Sequence, residues 1–104
     1  MKNKELIALK NSNYLEHGFP KVLEKVKEVI DEFIVKLILL HDFDKDIIDE
    51  NIRECTIKLN EVGFTGYQCI EDVERHSIIK AFDKIEEIIG HPDIWDIVEE
   101  ERDF

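Results

Sequence analysis

Residues 20–40, PKVLEKVKEVIDEFIVKLILL, decide the fold of this chain. Pro20 suits the first position of a helix, where its missing N–H would have no partner in any case. From Lys21 to Leu40 the apolar residues Val22, Val26, Val29, Ile30, Phe33, Leu37 and Leu40 recur at helical spacing and share one face. A helix of that length spans roughly 30 Å. Its last two turns, Phe33 to Leu40, are apolar nearly all round. A helix of that kind is covered on every side, which predicts the central helix of a bundle. Two other readings stay open: Val35, Ile38 and Leu39 as an apolar strip for a partner or a second copy, or a short buried strand.

Working outward, His41 to Asp46 holds the stop of this helix and the start of the next, with Asp44 as its predicted N-cap. Ile47, Ile48, Ile52, Cys55, Leu59 and Val62 then share a face, and Gly63 stands where a left-handed residue would end a helix of about 18 residues. Thr65 and Gln68 have capping-box spacing. The helix they would open runs to Ile89 on a stripe of Tyr67, Ile70, Val73, Ile78, Ala81, Phe82, Ile85 and Ile88, and Gly90 closes it. His91-Pro92 restarts the chain, with Pro92 as the expected first helical residue and Ile94, Trp95, Ile97 and Val98 at helical spacing. On the other side, His17-Gly18-Phe19-Pro20 ends a leader segment, residues 1–18. Within it Asn11-Ser12-Asn13 is turn chemistry and Met1 to Lys10 reads as a short helix or a frayed end. The expectation is a single all-α domain, an antiparallel bundle of four to five helices joined by short connections.

Length and composition agree. At 104 residues the chain has the size of one domain. Apolar residues make up 43%, enough for a core, although 38% are charged. Ile occurs 16 times and Ala twice, so the helices must rest on packing more than on intrinsic propensity. No stretch approaches the ~20 apolar residues that span a bilayer, and no basic-then-apolar secretory signal is seen at the start. Two cysteines, Cys55 and Cys69, without an export signal suggest free thiols in a reducing, cytoplasmic setting.

Charge is the feature that points towards a role. The chain carries 14 basic and 25 acidic residues, net −11. Residues 1–40 hold 7 basic and 6 acidic groups, net +1; residues 41–104 hold 7 and 19, net −12. Two acidic knots stand out: Asp42, Asp44, Asp46, Asp49, Glu50 and Glu54, then Asp93, Asp96, Glu99, Glu100, Glu101 and Asp103. Such a surface argues against direct nucleic-acid binding, which needs Lys and Arg on phosphates. Either it is a solvated face that keeps a small protein soluble, or it meets a basic protein partner and steers its arrival. The partner-binding candidates are Asp42, Asp44, Asp46, Asp49, Glu50, Glu54, Asp96, Glu99, Glu100 and Asp103.

Other chemistry is poorly supported. Asp42 to Asp46 invites a calcium loop, but the sixth position is Ile47 where Gly is needed and the twelfth is Arg53 where Glu is needed. Cys69, Asp72 and His76 lie along one side of their predicted helix, yet Cys69 and His76 are separated by roughly 10 Å along its axis, too far for a nucleophile and its base. Asp72 and His76 lack a third metal ligand. Cys55 falls among core positions. Glu74 falls inside an apolar stripe, either paired within the bundle or open at its edge. No Glu-x-x-His pair, phosphate loop, Gly-x-Ser-x-Gly or Cys-x-x-Cys occurs. No metal, no cofactor and no catalysis is expected.

Tyr14 with Phe19-Pro20 opening a Lys-rich helix (Lys21, Lys25, Lys27), Asn60 with Phe64 near the end of the next, and terminal Arg102-Asp103-Phe104 resemble a family of short bacterial proteins catalogued as a domain of unknown function. The resemblance implies a small, mostly helical, bacterial cytoplasmic protein and brings no activity. In size, acidity and helical character the chain is also similar to bacterial immunity proteins, which neutralise a cognate toxin. The expected role is therefore a non-enzymatic acidic inhibitor of a basic partner such as a toxin. The alternative is a module that self-associates, for instance as a homodimer, through Phe33–Leu40.

Overall fold

A computed structural model describes residues 2–40, 44–64 and 70–104. The elements are α1 (Lys2–Lys10), α2 (Pro20–Leu39), α3 (Lys45–Phe64), α4 (Asp72–Ile89) and α5 (Ile94–Glu101). The all-α bundle expected from the sequence is what forms. Pro20 occupies the first helical position of α2, after Phe19 in extended geometry. One face of α2, made by Val22, Val26, Ile30, Phe33, Ile34 and Leu37, is buried, and α2 packs against α1, α3 and α4. It is the central helix, but its last turns are not covered all round: Val35 is 38% and Leu39 72% exposed. No helix among the described residues is long and apolar enough to cross a membrane.

The leader is part of this core. Leu6, Leu9, Tyr14 and Leu15 are buried with the α2 and α4 residues. Two polar clamps hold it. Tyr14 donates to Asp31 Oδ1 (2.6 Å), while Lys27 reaches the Lys10 carbonyl at the end of α1 (2.9 Å) and lies over the Tyr14 ring. Burial, then the Asp31 carboxylate, push the Tyr14 phenol far up and keep it neutral. Further on, Ser77 Oγ donates to the His17 carbonyl (2.6 Å) and accepts the His17 N–H (3.2 Å).

Several expected boundaries move. Asp44 is the N-cap of α3, its Oδ1 accepting the Asp46 N–H at 2.9 Å. Gly63 does not end α3, which runs through it to Phe64. The Thr65–Gln68 box, Tyr67 and Cys69 lie outside the described residues. α4 starts at Asp72 instead, where buried Glu74 accepts the Glu71 N–H (3.2 Å) as the returning half of a capping box. That accounts for a carboxylate in an apolar stripe: it satisfies the helix start. Gly90 closes α4 in left-handed geometry as expected. Pro92 is not the first residue of α5. It lies in a turn with Asp93, which takes a left-handed φ of 64° before Ile94, and Glu86 Oε1 accepts the Ile94 N–H at 3.1 Å.

Two expected core residues face out, Ile47 at 46% and Val73 at 53% exposure. Each helical residue turns the side chain by roughly 100°. Ile47 is one step from the buried Ile48, and Val73 stands roughly 140° round from Ile78. Thr56, Ser77 and Ile89 take inward places that the sequence stripe left to others.

Helix directions follow from contacts. Lys36 meets Glu54 and Lys58 meets Glu32, so α2 and α3 are antiparallel. Phe82 packs on Trp95 and Arg75 Nε reaches the Phe104 carbonyl, so α4 and α5 are antiparallel too. α3 and α5, which are not consecutive, run the same way: His91, just before α5, meets Asp49, while Asn60 meets Glu101 and Asp103.

Candidate functional site

The acidic residues are positioned by this parallel pair. At the seam's first end, His91 Nε2 and Asp49 Oδ1 are 2.8 Å apart, both residues buried, and Lys45 Nζ reaches Asp49 Oδ2 at 2.7 Å. Burial pushes the Asp49 carboxyl up, but the hydrogen bonds from Lys45 and His91 outweigh it, so Asp49 titrates below the usual carboxylate range. At the other end Asn60 uses both halves of its amide: Nδ2 donates to the Glu101 carbonyl (2.8 Å) and Oδ1 accepts the Asp103 N–H (2.7 Å). Between them Arg53 and Glu101 stand 3.9 Å apart.

This seam brings the two acidic knots side by side. Asp46, Glu50 and Glu54 are spaced by four on α3, and Asp96 and Glu100 by four on α5, so each set lines one face of its helix. All five are exposed. Among the described residues, no ion pair engages Asp46, Glu50, Asp96 or Glu100. Glu54 pairs with Lys36 (3.3 Å) and Glu99 with Arg102 (2.8 Å). Asp44 and Asp103 are exposed, the first serving as the cap and the second tied by its backbone to Asn60. Asp42 lies outside the described residues.

Asp49 does not join the outward acids. Expected among the outward acids, it is only 7% exposed and spent on His91 and Lys45. It lies one step round the helix from Ile48, on the side that α5 covers. His91 and Asn60 were the residues that spacing did not single out. His91 sits in a turn and meets its partner 42 positions earlier in the chain, a relation no local pattern carries.

The remaining candidates stay apart or inert. Asp72 is exposed and paired with Arg75, and His76 is exposed. Among the described residues no three His, Cys, Asp or Glu side chains converge on a metal position. Cys55 is buried as expected, and burial pushes its thiol up to about 12, so it stays protonated. An open groove of about 370 Å³ between α2 and α3 sets Lys25 and Lys58 against Glu28 and Glu61, which gives it no net sign.

No protein-family model, curated protein or solved structure matches this chain.

Proposed function

We propose that this protein acts without catalysis, as an acidic binding protein that covers the basic surface of a partner protein, in the manner of an immunity protein neutralising a toxin. The observation that supports this most is that α3 and α5, packed side by side, expose Asp46 and Glu50 on the one and Asp96 and Glu100 on the other, with no ion pair of their own among the described residues. A net −12 over residues 41–104 is more than solubility asks of a chain this small. Carboxylates held on packed helices present a fixed negative field, which speeds the encounter with a basic partner and fixes its orientation.

The test is a tagged pull-down from the native host, washed at about 0.1 M and then about 1 M salt, between which screening shortens from roughly 10 Å to 3 Å. A basic protein held at the first wash and released at the second supports the reading. Recovery of the protein alone overturns it and favours the second reading, self-association through Phe33–Leu40. That alternative rests on exposed Val35 and Leu39, and a strictly monomeric mass by light scattering would remove it.

A further inference from the structure

The outward side of α3 carries a second pattern inside the acidic face. Ile47, Glu50, Glu54 and Ile57 follow one another by three, four and three residues. That is the spacing by which one helix offers a seam to another. The stripe runs about 15 Å along the axis, with isoleucines at its ends and glutamates between. Ile47 is 46% and Ile57 48% exposed. Single exposed isoleucines are ordinary; two in register on a helix whose opposite stripe, Ile48, Ile52, Cys55 and Leu59, already fills the core leave a face that the fold engages only at Glu54, through Lys36, among the described residues.

The charges choose the occupant. A second copy laid antiparallel on the same stripe would set Glu50 against Glu54, two carboxylates with one cation to share, the Lys36 that already pairs with Glu54. A helix with Lys or Arg at the two inner positions and apolar side chains at the two outer ones matches every position. We propose that this stripe docks a basic amphipathic helix of the partner protein, the carboxylates governing encounter and Ile47 and Ile57 governing retention. This rests on the acidic-binding reading and adds the shape and chemistry of what is bound.

Two synthetic helical peptides of about 20 residues test it, each covering the stripe's length. One carries Leu at the outer and Lys at the inner positions; the other has every Leu replaced by Gln at equal charge. Binding is followed by calorimetry and by backbone amide chemical shifts at about 50 mM salt. The expected result is shift changes centred on residues 46–58 and at least about tenfold weaker binding of the Gln peptide. Ile47→Gln with Ile57→Gln should erase that tenfold preference at an unchanged melting temperature, and Glu50→Gln should flatten the salt dependence. Equal binding of the two peptides overturns the docking stripe while leaving the acidic reading intact. Shift changes centred on Val35 and Leu39 also overturn it. Failure of both peptides to bind removes the stripe, while the acidic reading stands or falls with the salt-washed pull-down.

Discussion

Gly18 shows how one position can be fully determined by its surroundings. Its φ is +146°, and a Cβ there would come within 2.7 Å of Glu74 Cγ and 3.0 Å of Leu23 Cδ2. Gly18→Ala should therefore cost about 1–3 kcal/mol, from backbone strain and from the clash together. Adding Glu74→Ala removes the closest part of the clash but neither the Leu23 contact nor the strain, so the double variant should lose less than the sum of the two single losses; simple additivity in denaturant titrations would show that the two residues do not press on each other. Asp49 makes a prediction about acid. Its carboxyl sits below the ordinary range in the folded state, so its stabilisation is complete above about pH 4 and is lost as pH falls through the folded value. Asp49→Asn should cost about 1–2 kcal/mol at pH 7, and the gap to the parent should narrow steadily below about pH 4. A gap independent of pH would mean that the charge of Asp49 contributes nothing.

α5 is the shortest of the five helices described. It has 8 residues, too short to hold alone in water; it buries Ile94 and Val98, and its polar ties to α3 are His91–Asp49 at one end, Asn60 at the other and Arg53–Glu101 between. Asn60→Ala should cost about 1–2 kcal/mol and raise amide exchange at Asp103, whose N–H loses its acceptor. Unchanged exchange there would place the hold elsewhere, on Arg53 and Glu101. The parallel arrangement also accounts for where the acids fall. Both helices start at the same end, and carboxylates near helix starts are favoured by the backbone dipoles; Asp44, Asp46 and Asp96 meet that demand.

For the molecule as a whole, net −11 on 104 residues is self-repulsion that a small core has to overcome. In the folded form α3, α4 and α5 carry 6 basic and 14 acidic residues, net −8, while the slightly positive residues 1–40 supply the central helix and its clamps. Screening should therefore stabilise it. Raising NaCl from about 10 mM to about 0.2 M should lift the melting temperature by about 3–5 °C. A fall would mean that ion pairs such as Lys58–Glu32 outweigh the repulsion.

Periodicity and breakers determined the helices themselves: Pro20 opening α2, Asp44 capping α3, Gly90 closing α4, and apolar stripes that put Ile30, Ile52, Phe82 and Val98 inside. These are local properties, set by the turn of the helix and by which side chains avoid water. The charge asymmetry was equally plain, because it is a sum over residues. What only the tertiary structure decided were relations between distant segments. The sequence could not say that α3 and α5 run parallel, that Asp49 turns inward to His91, that Asn60 reads the chain at 101 and 103, or that Glu74 is used at a helix start rather than at a site. It placed Ile47 and Val73 inside and ended α3 before Gly63, since local pattern does not tell how far a neighbouring helix extends its cover. Burial of a polar group depends on which partner arrives from elsewhere in the chain, and that is settled only when the helices pack.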